Sequence, residues 1–237
     1  MKSLIILVAC ALFCSCNGQM EVSFITSCTQ EDRRCLKSSA QRAVPVIAAG
    51  VPQLSMKPLD PMQLPRILAN QAGLKMDFRN SVVKGLRNCL VEDIVRHGDA
   101  MSITMKCSAT VVGDYSLDGR LLVMPIKGEG RYKIKIRDIV VKFSFEMGHR
   151  ESGGEKYWTF ETWRYTSRVD NNVNFQFQNL FNGNKELSDS VHQFANGNWR
   201  DIFKELSPPI LDAVMKEIVT EVRKLFNNVP MRKLALD

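Results

Sequence analysis

RYKIKIRDIVVKFSFE, residues 131–146, is the most informative stretch for the fold, because its apolar side chains alternate with polar ones in the period-two pattern of a β-strand. The alternation changes phase along the stretch: even positions are apolar up to Ile136, and odd positions are apolar from Ile139 onwards. A strand that changes phase keeps the same face buried only if it contains a bulge or bend, here near Arg137 and Asp138. The stretch therefore predicts a long strand in a strongly curved sheet.

Residues 87–96 and 101–111 are predicted to form a hairpin beside that strand, and every odd position of the second run is apolar or cysteine. Folding about Gly98 places residues whose numbers sum to 196 opposite each other. This register brings Cys89 opposite Cys107, which predicts either a disulfide or two buried free thiols. The apolar pairs that follow from the same register are Val91 with Met105 and Val95 with Met101.

Other parts of the chain predict shorter strands, turns and a proline-rich connection. Strands are expected at residues 121–126, 156–166 and 172–178, with turns at residues 118–119, 128–130 and 152–154. Residues 26–42 predict a short helical segment. Five prolines between residues 44 and 65 predict an extended connection, because proline removes a helical hydrogen bond.

The pattern becomes helical near the carboxyl end, first in residues 187–206 with an interruption at Gly197. A final helix is predicted to begin at Ser207 as N-cap, with Pro208 and Pro209 in its first turn, and to end before Pro230. At about 100° per residue, its apolar residues share an arc of about 140°. They are Leu211, Val214, Met215, Ile218, Val219, Val222, Leu225 and Phe226. This helix is expected to bury a wide stripe against the sheet.

The composition is that of a globular protein, with 45% hydrophobic and 24% charged residues, and it excludes collagen-like, low-complexity and multi-span membrane classes. Residues 1–18 are predicted to be a secretory signal peptide, because Lys2 precedes an apolar run that small residues follow. Residues 7–10 also fit a lipoprotein cleavage box, although that alternative leaves a short apolar core. Residues 19–237 are then predicted to be a single α+β domain of a secreted, extracellular protein.

Four of the seven cysteines remain after such cleavage, namely Cys28, Cys35, Cys89 and Cys107. An even number in an oxidising compartment predicts two disulfides. No metal site is expected, since the sequence has no CxxC pair and its three histidines lie far apart.

The sequence contains no catalytic or cofactor motif of the GxSxG, HExxH or GxxxxGK[ST] type, so neither an enzyme nor a cofactor is expected. The net charge of +7 is spread over the chain. Lys133 and Lys135, for example, alternate with apolar residues as on the outer face of a strand. Nucleic-acid binding is therefore not expected. A weak contact with an anionic membrane surface or with a receptor stays open.

Six short motifs, in this order after an amino terminus with two cysteines, carry a resemblance. They are GVP at 50–52, PLDP at 58–61, GDY at 113–115, LLVMPIKGEG at 121–130, NLFNGNKELSDSVHQF at 179–194 and NW at 198–199. Over nearly all of the mature chain, the sequence resembles the insect takeout and haemolymph juvenile hormone-binding protein family. The resemblance implies a TULIP-like fold, in which a strongly curved antiparallel sheet wraps a long C-terminal helix and encloses a hydrophobic tunnel. It also implies a disulfide between Cys28 and Cys35.

The resemblance further implies a secreted carrier, expected as a monomer, for juvenile hormone or a related terpenoid or fatty molecule. Circadian roles are known in that family. The side chains expected to contact the ligand are Met101, Ile103, Met105, Tyr132, Ile134, Ile136, Phe143, Phe160, Phe175, Val214 and Ile218. Each of these residues could instead fill a dry core. Tyr132 is the polar candidate for a hydrogen bond to the ligand.

One departure from the family pattern concerns disulfides. Juvenile hormone carriers have a second disulfide late in the chain, whereas this sequence has no cysteine after Cys107. The chain is therefore nearer to the takeout branch, and the identity of the ligand stays open. The alternative function is a secreted protein that docks a receptor or a membrane surface without a lipid cargo.

Overall fold

The computed structural model describes residues 22–236, so the predicted signal peptide at residues 1–18 lies outside the described part. The helices are α1 (Arg33–Ala49), α2 (Lys185–Gly197) and α3 (Trp199–Asn228). The strands are β1 (Met62–Gln63), β2 (Ile67–Gln71), β3 (Leu74–Lys84), β4 (Leu90–His97), β5 (Ala100–Leu121), β6 (Met124–Ser152) and β7 (Glu155–Phe177). Among these residues, no helix is long and apolar enough to cross a membrane.

The strands of residues 22–236 form one antiparallel sheet in the order β1, β3, β5, β6, β7. Strand β2 also pairs with β3, on the same edge as β1, and strand β4 also pairs with β5, on the same edge as β3. Strand β6 has 29 residues, which would extend roughly 95 Å if straight. A compact chain of 237 residues has a radius of gyration of only about 18 Å. The long strands therefore bend around the core, which confirms the α+β fold with a strongly curved sheet around a C-terminal helix.

A band of bulges crosses the three longest strands and produces much of this bend. The register shifts between Cys107 and Ala109 in β5 and between Arg137 and Ile139 in β6. At the centre, Asp138 has a positive φ of 57°, and its backbone N–H donates to Ser108 Oγ at 3.1 Å. Asn171 of β7 donates from Nδ2 to the Asp138 carboxylate at 3.2 Å. The bulge predicted from the phase change in residues 131–146 is confirmed.

The hairpin of β4 and β5 follows the predicted register only in part. Val91 pairs with Met105 as predicted, and the neighbouring Cys89 and Cys107 form a disulfide with a Cα–Cα distance of 4.4 Å. A bulge between Val91 and Asp93 then shifts the pairing by one residue. The predicted pair of Val95 with Met101 is therefore wrong, and Arg96 stands opposite Met101 instead.

Several predicted strand boundaries are also wrong. Strand β5 continues through the turn expected at residues 118–119, and β6 continues through the turn expected at residues 128–130. The chain reverses instead at Leu122 and Val123, within the strand expected at residues 121–126. The runs at 156–166 and 172–178 belong to one strand, β7, which tolerates a bulge between them. Strands β2 and β3 were not predicted at all, although Leu74, Met76 and Phe78 alternate inward along β3.

Prolines mark helix ends less strictly than the sequence predicted. Helix α1 continues through Pro45 to Ala49, so the extended connection predicted from residue 44 begins only after that helix. Helix α3 begins at Trp199 and runs through Pro208 and Pro209, so the predicted start at Ser207 is wrong. Each internal proline removes a helical hydrogen bond. Apolar burial on the same helices offsets this loss, since Ile202, Leu206 and Ile210 of α3 are buried.

Candidate functional site: an apolar cavity between sheet and helix

A cavity of about 320 Å³ lies between α1, the inner faces of β4, β5 and β6, the start of β7, and α3. This volume falls at the lower end of the roughly 300–1,000 Å³ found for small-molecule sites. The cavity follows α3 from Ile210 to Phe226, a distance of about 24 Å at 1.5 Å per residue. Its shape is therefore elongated and narrow.

The wall of the cavity is almost entirely apolar. All eight residues of the apolar stripe predicted on the C-terminal helix line it. Helix α1 also lines the cavity, with the small side chains of Ala40, Ala43 and Ala48 and the larger ones of Leu36, Val44 and Ile47. The alanine methyl groups fill less of the interior than larger side chains would, which helps to leave the cavity open.

Eight of the eleven predicted ligand contacts lie on this wall, namely Met101, Ile103, Met105, Ile136, Phe143, Phe160, Val214 and Ile218. Ile134 and Phe175 lie beyond it and line a separate void of only about 20 Å³. Tyr132 lines neither space among the described residues. The structure thus brings most of the predicted side chains together around one cavity and places three of them in the adjoining core.

Tyr132 belongs to a packed aromatic group. Its hydroxyl donates to Ser81 Oγ at 2.7 Å, and its ring centroid lies 5.0 Å from that of Phe78. A Cβ added to Gly113 would lie 2.9 Å from the Tyr132 ring, so the ring can occupy this position only because residue 113 has no side chain. Burial raises the pKa of Tyr132 to about 12. The hydroxyl that was expected to meet a ligand therefore already has a partner within the protein.

Few polar side chains reach the cavity wall. Ser39 Oγ donates to the backbone carbonyl of Thr26 at 2.9 Å and accepts from the Thr26 backbone N–H at 2.8 Å, so this pair is mutually satisfied. Arg96 is 5% exposed and is the one charged residue among the described residues of the wall. Sequence alternation missed Arg96, because the bulge between Val91 and Asp93 rotates it from the outer to the inner face.

Aromatic rings gather at the end of the cavity near Arg96. The Arg96 guanidinium carbon lies 5.4 Å from the centroid of the Trp158 ring, and Trp158 contacts Phe226 edge to face at 5.8 Å. Phe160 bridges Phe226 and Phe145, with centroid distances of 5.3 Å and 5.2 Å. This end therefore combines a cation with polarisable rings, whereas the rest of the wall is mainly aliphatic.

Both ends of the described chain close the same end of the cavity. Cys28 is joined to Cys35 of α1 by a disulfide with a Cα–Cα distance of 5.8 Å, and it also forms a β-bridge with Ala235. Cys28 and Ala235 both line the cavity. The carboxyl-terminal segment is held further by Arg232, which bonds the Glu155 carboxylate at 2.7 to 2.9 Å. The hydrogen bond from Arg232 lowers the pKa of Glu155.

A buried carboxylate fixes α3 next to the cavity. Glu221 is 2% exposed and accepts from the backbone N–H of Lys57 at 2.6 Å and from Lys224 Nζ at 2.7 Å. The same ammonium group donates to the backbone carbonyl of Ser55 at 2.9 Å. This network ties the segment before β1 to the helix. Its polar atoms satisfy one another, so it acts in positioning α3.

A curved sheet around a helix, with an elongated apolar cavity between them, defines the class of protein that encloses a hydrophobic small molecule. The chain belongs to the haemolymph juvenile hormone binding protein family, whose family model matches residues 5–236. The fold agrees with the crystal structure of Epiphyas postvittana Takeout 1, with a TM-score of 0.87 and 29% identity. That comparison covers 89% of this chain and 99% of the Takeout 1 chain.

Two further relatives are similar over different shares of the chain. The circadian clock-controlled protein daywake of Drosophila melanogaster is 25% identical over 219 residues, which are 86% of this chain and 84% of daywake. A Schistocerca gregaria protein with the name "Putative beta-carotene-binding protein" is 30% identical over 108 residues. That match covers 43% of this chain and 42% of the locust protein.

Proposed function

We propose that this protein is a secreted, monomeric carrier that holds one small hydrophobic molecule in the cavity and catalyses no reaction. The ligand class is juvenile hormone or a related terpenoid or fatty molecule. The observation that carries the proposal is the cavity of about 320 Å³ with its apolar wall. Membership in a family of hormone-binding proteins and similarity to a protein named for carotene binding support the same ligand class.

The physical basis is the transfer of apolar surface out of water. Each buried methylene contributes about 0.8 kcal/mol, so a chain of about ten methylenes gains ~8 kcal/mol. That free energy corresponds to a dissociation constant of about 1 μM. The eight predicted residues on the wall, such as Met105 and Val214, would supply the contacts.

The proposal is tested with a fluorescent fatty-acid probe and the full chain expressed with its natural amino terminus. We expect secretion into the medium and uptake of one probe per chain. Ala43→Phe places a ring in the cavity and should weaken probe binding at least tenfold. Ala49→Phe is the matched control, because Ala49 is exposed on the same helix and should leave binding unchanged. Failure of the wild-type protein to bind, or equal binding by the two variants, would contradict the proposal.

A second candidate function is contact with an anionic membrane, which would accompany ligand delivery. Lys133, Lys135 and Lys142 project from the outer face of β6, and no ion pair involves them within residues 22–236. Lys106 and Arg168 flank this row on β5 and β7, and both pair with Asp170. Basic residues near an anionic lipid surface each contribute about 1 kcal/mol.

Co-sedimentation with phosphatidylserine vesicles tests this contact. We expect binding at low salt, loss of binding at high salt, and a clear reduction in a variant with all three lysines changed to glutamine. Probe binding in the cavity should stay unchanged in that variant. Salt-independent binding, or full binding by the glutamine variant, would rule out the basic row as the contact.

A further inference from the structure

Arg96 carries a positive charge into a wall that is otherwise free of charged side chains among the described residues. Its exposure is 5%, and that of its neighbour Trp158 is 3%. The bulge in β4 is what brings it there, since without the shift Val95 would face inward at this position. The guanidinium group has interactions within the chain that help to offset the free-energy cost of burying its charge, so its position does not depend on a ligand.

The chemistry of the side chain determines which ligand group suits this position. A guanidinium group has five N–H donors and no acceptor, so it can keep contacts within the protein and still donate to a ligand atom. Stacking against Trp158, with 5.4 Å from guanidinium carbon to ring centroid, holds its plane in place. The preferred partner of such a fixed fork is a carboxylate, and a neutral carbonyl is a weaker partner.

The two ends of the cavity differ accordingly. Arg96, Trp158 and Phe226 define one end, and Val111, Ile136 and Ile210 define the other, about 24 Å away along α3. The second end adjoins the small void lined by Ile134 and Phe175. It offers no charged side chain among the described residues of either space. A ligand with one polar terminus therefore has a single favourable orientation.

We propose that the cavity selects an amphipathic ligand with a hydrogen-bond acceptor at one terminus, best a carboxylate, bound by Arg96 against Trp158 with the apolar chain directed towards Ile136 and Ile210. This inference rests on the proposed carrier function and refines its ligand class. It makes Arg96 the residue that determines specificity for the polar end, whereas the apolar wall supplies most of the affinity.

The test compares three ligands of equal chain length: dodecanoic acid, methyl dodecanoate and dodecane. Each competes with the same neutral fluorescent probe for the full wild-type chain. A charge-assisted hydrogen bond corresponds to a preference of about 10- to 100-fold. We expect that preference for the acid over dodecane, with the ester in between. An ester as tight as the acid would assign the site to a neutral acceptor and overturn the preference for carboxylate.

Two substitutions of Arg96 and one control locate the effect. Arg96→Met should bind dodecane as the wild type does and lose the preference for the acid, whereas Arg96→Lys should keep part of it. Arg223→Met is the matched control, because Arg223 lies 5.9 Å from the Phe160 ring but is exposed and is not among the residues of the wall. This control should keep the full preference. An unchanged preference in Arg96→Met would overturn the inference.

Two outcomes of the competition experiment distinguish a failure of the carrier function from a failure of the proposed role of Arg96. If none of the three ligands displaces the probe from wild-type protein, the carrier function itself fails. If all three bind equally, the carrier function stands and the role of Arg96 is wrong. Should Arg96→Met not fold, carboxyl-labelled ¹³C dodecanoic acid bound to wild-type protein gives the answer, because burial in an apolar cavity raises a carboxyl pKa whereas contact with Arg96 lowers it. We expect a pKa at or below the value in water, and a pKa clearly above that value would contradict the contact.

Discussion

The interior of the sheet has two halves that are built from similar strands but are filled differently. On the cavity side, defined by residues 101–111 and 136–145, the sheet faces alanines of α1 and an open space. On the other side, here called the packed half and defined by residues 113–134 and 173–177, aromatic rings fill the interior. Tyr115 and Phe175 are 0% and 1% exposed there, and Phe78 of β3, whose ring packs against that of Tyr132, is 0% exposed.

This difference shows that side-chain volume, rather than the pattern of burial, decides whether a curved sheet is hollow. Close packing in proteins leaves few voids, and a void persists only when the surrounding structure cannot collapse into it. Both disulfides contribute to the wall of the cavity, through Cys28, Cys89 and Cys107, and they hold strands and chain ends in place. The packed half is held by its own rings and by hydrogen bonds such as that from Tyr115 to the Gln178 carbonyl, 2.7 Å long.

Removal of one ring from each half should have very different effects on stability. Phe175→Ala deletes a ring that is 1% exposed and leaves a hole, so we expect a loss of about 3–5 kcal/mol in the free energy of unfolding. Phe160→Ala removes a half-buried ring that already faces open space, and the loss should be only about 1–2 kcal/mol. Urea denaturation measures both values, and equal losses would contradict the distinction between the two halves.

The disulfides should matter most for the cavity side. Cys89 and Cys107 are 18 residues apart, so their joint replacement by alanine should lower the free energy of unfolding by about 3 kcal/mol. The shorter loop between Cys28 and Cys35, with a separation of 7, predicts a loss of about 2 kcal/mol. Hydrogen exchange should increase first in residues 101–106. Faster exchange in residues 126–134 instead would show that the disulfide stabilises the packed half.

Addition of a ring should distinguish the halves in the opposite sense. Ala195 is 2% exposed and packs in the part of the core without a large void, so Ala195→Phe should overpack it and cost about 1–3 kcal/mol. Ala43→Phe adds the same ring beside the cavity and should leave the melting temperature unchanged or higher. A larger loss for Ala43→Phe than for Ala195→Phe would mean that the cavity has no room for a side chain.

The smallest effect is expected for Tyr132→Phe. The substitution leaves Ser81 Oγ without the donor at 2.7 Å, so stability should fall by about 1 kcal/mol. Probe binding should stay within twofold of the wild type, because Tyr132 does not line the cavity. The double variant with Ser81→Ala should recover part of the stability. A tenfold loss of probe affinity in Tyr132→Phe would contradict this expectation and show that Tyr132 contacts the ligand.

Much of the fold follows from local sequence. The phase change near Arg137 predicted the bulge, the hairpin register predicted the pairing of Cys89 with Cys107, and the helical arc predicted the stripe on α3 that lines the cavity. These features depend on neighbours in sequence and on which face is buried. Local preference was overruled at Pro45 and Pro208, because apolar contacts with distant strands outweigh one lost hydrogen bond.

Local sequence patterns predict that one face of each long strand and one stripe of α3 are buried, because alternation and helical period show which side chains avoid water. Packing in three dimensions sets which of these buried side chains fill the core, such as Tyr132 and Phe175, and which border the cavity, such as Met105 and Val214. It also decided that Arg96 turns inward, since one extra residue in β4 reverses the faces that follow it. The physical reason is that the volume enclosed between elements depends on side chains distant in sequence, which no local pattern contains.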